Sequence, residues 1–190
     1  MSTRLTVGEI VPERLIDVIT GPPVAIPALG GRTHLQFRRF AGCPICHLHL
    51  RNFTNRHDEL VAAGITEVAF FHSPKSELQG YQSLLPFAVV ADPERVYYRE
   101  FGVEVSPRSV AHPRAMWSAM RGYAKAAANR RDPANIGVGL GDGSTHLGLP
   151  ADFLIEPDGT LAAVKYGRHA DDQWSVDELL EIENSLPRRP

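Results

Sequence analysis

The sequence predicts an α/β fold in which a mixed central sheet is flanked by helices on both faces. Residues 68–71 and 87–91 are apolar runs without alternation, as is typical of parallel strands that are covered on both sides. Each run is followed by a helix start signal, Ser73-Pro74 and Asp92-Pro93 respectively. Residues 149–155 and 161–166 read as strands joined by a Pro-Asp-Gly turn, which makes an antiparallel hairpin. Strand–helix alternation that ends in a hairpin and a final helix predicts the mixed sheet.

The first part of the chain leads to one strong strand and one long helix. Residues 1–33 are rich in Pro and Gly, and we expect an entry strand or hairpin there. Residues 33–40 form the first strong strand, and a helix follows from about residue 44 to residue 63, with Gly64 just past its end. One face of this helix is marked by residues at spacings of four and three: Cys46, Leu50, Phe53, His57 and Leu60.

Capping signals delimit the later helices. The helix that Ser73-Pro74 opens is expected to extend to about residue 84, and the one that Asp92-Pro93 opens to end near residue 102. The last helix follows Ser175, which forms a capping box with Glu178.

Residues 105–148 interrupt the alternation and are expected to be a helical and loop insertion. Residues 111–128 are rich in Ala and Met and predict a helix. Residues 137–143 hold four glycines, but no strong strand precedes them and no Gly-Lys-Ser/Thr follows. We therefore expect a mobile surface loop rather than a phosphate-binding loop.

The composition is that of one globular domain spanning residues 1–190. Apolar residues make up 43% of the chain and charged residues 22%. The formal charge of −2 gives no basic footprint for nucleic acid. No apolar run approaches the ~20 residues of a membrane span, and the first ten residues lack the apolar core of a secretory signal. We therefore expect a cytoplasmic protein with no nucleic-acid or membrane partner.

The only two cysteines, Cys43 and Cys46, lie three residues apart between the first strong strand and its helix. Pro44 suits the first helical position because its missing N–H would have no partner there. A helix N-terminus carries about half a positive charge, which favours a thiolate over a thiol. Cβ atoms three apart on a helix are roughly 5–6 Å apart, so a small adjustment lets the sulfurs bond. The pattern predicts a redox-active pair in which accessible Cys43 attacks disulfides and packed Cys46 resolves them.

The same residues allow three other interpretations. The run from Cys43 to His47 matches a haem-attachment motif, but that chemistry requires export, and its axial ligand would be Met116 or Met120. A zinc site would need a second ligand pair, and none has clear spacing. The third interpretation is a small buried thiol pair without a function. We expect neither a metal nor a cofactor.

Histidines and arginines surround the pair in sequence. His57 lies on the buried helix face and is expected to be a core histidine, whereas His47 and His49 are expected to be solvated. Solvation at the surface is also the expected role of the four arginines that could otherwise stabilise a thiolate. Arg39 is the strongest candidate for stabilising the thiolate, since it is close in sequence to the cysteines. The four arginines are Arg38, Arg39, Arg108 and Arg168.

The order of elements, the Cys-Pro-Ile-Cys turn and a proline that opens a later strand resemble the thioredoxin fold. More narrowly, the chain resembles the peroxiredoxin-like branch, the alkyl hydroperoxide reductase/thiol-specific antioxidant superfamily. The resemblance is carried by residues 37–46, 88–93 and 148–155. It implies that residues 105–148 are an insertion and that Pro150 is a cis proline close to the cysteines.

This resemblance implies a thiol-dependent antioxidant oxidoreductase that reduces hydroperoxides and is restored by a thioredoxin-like dithiol. It also allows a homodimer. Peroxiredoxins carry Pro-x-x-x-Thr/Ser-x-x-Cys around the peroxide-reacting cysteine. If that cysteine is matched to Cys46, Cys43 stands in place of the Thr and Arg39 in place of the Pro. The family motif is therefore not intact, and which cysteine attacks peroxide stays open. The alternatives are a protein disulfide reductase and a regulatory thioredoxin-like domain without catalysis.

Overall fold

The computed structural model describes residues 3–82, 84–103, 113–128 and 148–187. Its strands are β1 (Arg14–Ile16), β2 (Val24–Ile26), β3 (Arg32–Phe37), β4 (Ile65–Phe71), β5 (Ala88–Ala91), β6 (Ala151–Ile155) and β7 (Leu161–Tyr166). The main sheet has five strands in the order β5-β4-β3-β6-β7. Strands β3, β4 and β5 are parallel, whereas β6 is antiparallel to β3 and β7 to β6. The predicted mixed sheet is therefore confirmed.

Helices follow the strands as the alternation predicts. They are α1 (Pro44–Asn55), α2 (His57–Ala62), α3 (Lys75–Gln82), α4 (Val96–Glu100), α5 (Pro113–Ala128) and α6 (Val176–Ser185). The capping box of Ser175 and Glu178 is present at the start of α6. The loop predicted at residues 137–143 lies outside the described residues.

The single helix predicted from residue 44 to residue 63 is broken at Arg56. This residue has φ −115° and ψ 19°, which end α1 and start α2. Its guanidinium also binds Glu59 and Asp177, so a contact with the distant helix α6 accompanies the break. Gly64 has φ +73° just past α2, as its predicted position requires.

One face of the sheet is covered by four helices. Buried side chains of α1, α2, α3 and α6 pack there against β4, β5 and β6, among them Phe53, Leu60, Leu78 and Leu179. Full burial of such a side chain contributes about 1.5–3 kcal/mol, so this layer holds α1 firmly on the sheet.

The opposite face is covered by α4 and by the antiparallel β1–β2 hairpin. Phe37 of β3 is at its centre and stacks on Phe70 with ring centroids 4.6 Å apart. The hairpin contributes Ile16 and Ile26, which confirms the entry hairpin expected in residues 1–33. Strand β3 is thus buried on both faces. In the described part of the chain, no helix is long and apolar enough to cross a membrane.

Candidate active site

The cysteines lie in a tight turn that connects β3 to α1. The Cys43 N–H donates to the Phe40 carbonyl over 3.2 Å. Gly42 has φ +81° within this turn, a conformation that is costly for any residue with a Cβ. The turn is held to the neighbouring strand end because the Ala41 N–H donates to the Ser73 hydroxyl over 2.9 Å.

Cys43 is the N-cap residue of α1, at the helix start where the sequence places it. Its backbone is extended, with φ −60° and ψ 115°, and Pro44 occupies the first turn. The Cys43 sulfur accepts the N–H of Cys46 over 3.4 Å, and its carbonyl accepts the N–H of His47 over 2.9 Å. The sulfur therefore takes the place of the oxygen that usually caps a helix and is exposed to the positive end of the helix dipole.

The two sulfur atoms are 2.9 Å apart and both cysteines are free thiols. Cys43 is 1% exposed and Cys46 is 2% exposed. The expectation that Cys43 is accessible at the helix tip is therefore wrong, although its place at the tip is right. The cause is a cluster of side chains that covers the turn: Phe40, Ile45 and Ala170, with Ala119 of α5 packed against them.

Arg39 is the cation nearest to the pair among the described residues. Its Nη1 lies 3.7 Å from the Cys43 sulfur, and its guanidinium lies over the Phe40 ring. Arg38 and Arg39 are both buried, so the expectation that they are solvated is wrong. Arg168 is exposed as expected and binds Asp172, while Arg108 lies outside the described residues.

The surroundings of the pair shift the two thiols in opposite directions. Burial alone raises the pKa of Cys43, but three interactions outweigh it: the hydrogen bond from Cys46, the charge of Arg39 and hydrogen bonds from backbone N–H groups. Together they lower the pKa of Cys43 to about 6. Burial and the neighbouring Cys43 sulfur raise the pKa of Cys46 well above its usual value. At neutral pH the pair therefore holds one thiolate, on Cys43, and one proton, on Cys46.

Beneath α1, a buried polar network crosses β3, β4 and β6. His34 lies between two carboxylates, with Nδ1 2.8 Å from Glu67 and Nε2 3.2 Å from Asp152. Arg38 donates from Nη2 to Asp152 over 2.6 Å and to the Gln36 side chain over 2.7 Å. Gln36 in turn donates to Glu67. The network is closed, because each cation has a carboxylate partner inside the core.

The charges of this network stabilise one another. Burial lowers the pKa of His34, but Glu67 and Asp152 outweigh it and raise the value to about 9. Burial raises the pKa of Asp152, but Arg38 and His34 outweigh it and hold the pKa below its usual range. At neutral pH, His34 is therefore an imidazolium and Asp152 a carboxylate.

His49 connects the network to the helix that carries the cysteines. Its Nε2 is 3.0 Å from Nη2 of Arg38. Burial and the charge of Arg38 hold the pKa of His49 well below its usual value, so the ring is neutral and accepts the Arg38 N–H. His49 and His47 were expected to be solvated; His47 is buried and His49 half-buried, so both expectations are wrong. His57 is half-buried beside the Phe87 ring.

A family model described as AhpC/TSA antioxidant enzyme matches residues 50–169. The chain belongs to the AhpC/TSA antioxidant enzyme family. The matched range spans most of the chain but begins after Cys46. The assignment to the family therefore rests on the sequence that follows the cysteine turn. Comparison with curated proteins gave no match.

Solved peroxiredoxin structures share the fold of this AhpC/TSA family member. Peroxidoxin BcpB from Mycobacterium tuberculosis superposes with a TM-score of 0.68 at 15% identity, covering 97% of this chain and 100% of that one. The reduced 2-Cys peroxiredoxin of Plasmodium vivax gives 0.65 at 13% identity, covering 94% and 80%. A mutant of peroxiredoxin 6 from Arenicola marina gives 0.61 at 17%, covering 95% and 73%. At such identities the likeness shows the fold alone.

The expectation that the peptide bond before Pro150 is cis is wrong. Within the described ranges the cis peptide bond is Ile26–Pro27, not the bond before Pro150. Pro150 directly precedes β6, whose Ala151 pairs with Phe37 of β3, and its carbonyl accepts the Gly167 N–H over 2.9 Å. It thus borders the end of β3 that leads to the cysteine turn.

Several residues around the AhpC/TSA family site are not among those predicted from the sequence. The Tyr98 hydroxyl bridges the backbone carbonyls of Arg38 and Phe70, which ties α4 to the strand ends beside the turn. Asp152 and Ala119 are also absent from the predicted set. Asp152 could have been recognised as a charged residue inside an apolar strand, whereas no local pattern in the sequence marks Ala119. No group of three or more His, Cys, Asp or Glu side chains suited to a metal occurs in the described ranges.

Proposed function

We propose that this AhpC/TSA family member is a thiol peroxidase in which Cys43 attacks a hydroperoxide and Cys46 resolves the product. The observation that carries the proposal is the geometry of the pair: two sulfurs lie 2.9 Å apart, and that of Cys43 caps the start of α1 beside Arg39. With its pKa lowered to about 6, Cys43 is a thiolate at neutral pH, whereas Cys46 keeps its proton. Arg39 supplies the positive charge that stabilises the thiolate, 3.7 Å from its sulfur.

The first step transfers one oxygen atom. The Cys43 thiolate attacks the outer oxygen of the hydroperoxide, the O–O bond breaks, and the departing alkoxide takes up a proton to leave as an alcohol, or as water from hydrogen peroxide. Sulfur is oxidised to a sulfenic acid and the peroxide is reduced. The Cys46 sulfur then attacks the Cys43 sulfur, and the sulfenic hydroxyl leaves as water together with the Cys46 proton. The short sulfur–sulfur distance favours this step over further oxidation to a sulfinic acid.

The resulting disulfide is restored by thiol–disulfide exchange with an external dithiol of the thioredoxin type. The burial of both sulfurs favours a hydroperoxide over a protein disulfide as the oxidising substrate, because a small molecule needs a narrower path to Cys43. Pro150 has a supporting place in this proposal, because it directly precedes β6 beside the end of β3 that leads to the cysteines.

The experiment compares wild type with Cys43→Ser and Cys46→Ser. Each protein is treated with hydrogen peroxide and with an organic hydroperoxide, and sulfenic acid trapping by dimedone and intact mass are followed with time. We expect rapid disulfide formation in the wild type, a trapped sulfenic acid in Cys46→Ser and no fast reaction in Cys43→Ser. Cys46→Ser is the matched control, because it keeps the attacking sulfur and removes only the resolving one.

Three outcomes would contradict the proposal. Trapping of the sulfenic acid in Cys43→Ser would make Cys46 the attacking residue. Oxidation no faster than that of free cysteine, together with reduction of insulin disulfides by the protein and dithiothreitol, would make the protein a disulfide reductase. If neither reaction is accelerated, a regulatory domain without catalysis remains.

A further inference from the structure

Helix α5, which belongs to the insertion, covers the start of α1. Ala119 of α5 packs against the cluster that contains both cysteines. Three residues further along α5, Gly122 lies directly on Pro44, the residue after Cys43. A Cβ at position 122 would lie 2.8 Å from the Pro44 Cβ and 2.8 Å from the Pro44 carbonyl oxygen. The two helices therefore approach as closely as they do because position 122 has no side chain.

Two small residues of α5, Ala119 and Gly122, are among the described residues that contact the start of α1. On the other side of α5, Met116, Trp117 and Met120 are 58%, 63% and 62% exposed. At the edge of the contact, the Ser118 hydroxyl donates to the Asp171 carboxylate. Because buried apolar area sets the strength of packing, Ala119 and Gly122 contribute less to holding α5 in place than the large side chains of α1 contribute to holding α1 on the sheet.

A space remains between α1 and α5. A cavity of about 160 Å³ lies between the two helices and is bounded by Ile45, His49, Ser118 and Asp171 among others. Ile45, which lines this cavity, directly precedes Cys46. Neither cysteine is among the residues that line it, so the cavity does not by itself lead to the sulfur. Because Cys43 is only 1% exposed, a molecule reaches its thiol where the cover opens, and a larger molecule needs a wider opening.

We propose that Gly122 and Ala119 determine the size of the molecules that reach Cys43, by seating α5 on the cysteine turn. Small hydroperoxides need only a narrow opening in the cover to reach the sulfur, whereas bulky ones require α5 to move away from Pro44. The inference rests on the proposed function for its substrate class, but the accessibility of the thiol can be measured without any peroxidase activity.

The test changes the contact without touching the thiols. Gly122→Val forces α5 away from Pro44, and Gly122→Ala does so with a single methyl group. Alanine also favours a helix over glycine by about 1 kcal/mol, so faster labelling of Gly122→Ala reports displacement of α5 and not its unfolding. Ala124→Val is the matched control, because residue 124 is exposed on the same helix.

Each protein is labelled with limiting iodoacetamide and, separately, with bulky N-(1-pyrenyl)maleimide, and the modified cysteine is mapped by mass spectrometry. Overpacking shifts an opening equilibrium by roughly 5- to 150-fold. We expect labelling of Cys43 by the pyrenyl reagent to accelerate within that range in both Gly122 variants, with a smaller change for iodoacetamide. Ala124→Val should behave as wild type. Thermal melting verifies that each variant is folded.

Unchanged pyrenyl labelling in folded Gly122→Ala would overturn the inference, and so would equal acceleration for both reagents. The same variants are then oxidised with hydrogen peroxide and with cumene hydroperoxide, and the ratio of the two rates should shift towards cumene hydroperoxide. If labelling responds as expected but no variant reacts with peroxide faster than free cysteine, the proposed function fails and the role of α5 in thiol access stands.

Discussion

Replacing Arg39 by methionine should raise the pKa of the Cys43 thiol. Arg39 is buried, and its Nη1 lies 3.7 Å from the Cys43 sulfur, where the charge lowers the pKa of that thiol. Methionine keeps an unbranched apolar side chain over the Phe40 ring but removes the charge and the donor. The helix start and the Cys46 hydrogen bond remain, so the pKa should stay below that of a buried thiol without partners.

The size of the effect follows from the distance. Two unit charges 4 Å apart interact by about 4 kcal/mol at an effective dielectric constant of ~20, and opposite charges at this range shift pKa values by about 1–3 units. The pKa of Cys43 should therefore rise from about 6 to the range of roughly 7–9. With a pKa near 8, the thiolate fraction at pH 7 falls from about nine-tenths to about one-tenth.

Thiolate absorbance near 240 nm, titrated against pH, measures this pKa directly. The rate of oxidation is a less direct measure, because the nucleophilicity of a thiolate rises with its pKa. Arg39→Lys keeps the charge and should shift the pKa less. Arg168→Met is the matched control, since Arg168 is 83% exposed and binds Asp172 rather than the thiol pair. A midpoint for Arg39→Met within about 0.3 units of wild type, well below the expected shift, would refute the reasoning.

Three further predictions concern stability, measured by urea denaturation. Asp152→Asn leaves the buried Arg38 without its carboxylate partner and removes one of the two carboxylates beside His34, so it should cost about 3–5 kcal/mol; a loss below about 1 kcal/mol would contradict the network. His34, with its folded pKa raised to about 9, should contribute stability that is full below pH 6.5 and is lost as pH rises through 9, about 3 kcal/mol in all. Cys43 titrates over the same range with the opposite sign, so this comparison is made in Cys43→Ser, and a flat profile would disprove the assignment. Ser175→Ala should cost about 1 kcal/mol through loss of the capping box, and Ser185→Ala, at the other end of α6, should change stability by less than about 0.5 kcal/mol; equal losses would argue against the cap.

Features that depend on neighbours in sequence could be predicted. The buried runs of β4 and β5, the hairpin of β6 and β7 and the Ser175 cap are all local patterns, and each is present in the structure. The position of Cys43 at the start of α1 belongs to the same class, because Pro44 and the apolar spacing of the following helix define it. The break at Arg56 was not predictable in this way, since the guanidinium contacts Asp177 more than a hundred residues later.

Features that depend on strand pairing could not be predicted. Arg38 reads as a surface cation, yet β3 is the central strand and Arg38 meets Asp152 from β6 in the core. His34 reads as an ordinary polar residue, yet it is held between carboxylates from two neighbouring strands. The partners are more than thirty residues away in the chain, so no periodicity or spacing in the sequence indicates these contacts.

The sequence by itself determined that this protein carries a thiol pair at a helix start in an α/β fold. The turn, the proline and the apolar spacing that predict this arrangement depend only on residues close together in the chain. Only the tertiary structure decided that both thiols are buried and that the Arg39 guanidinium lies beside Cys43. The charge of Arg39 and the proton of Cys46 act over less than 4 Å and assign the thiolate to Cys43. The cover that α5 places over the turn is a long-range contact through Gly122, and burial, unlike helix formation, depends on what the rest of the chain brings there.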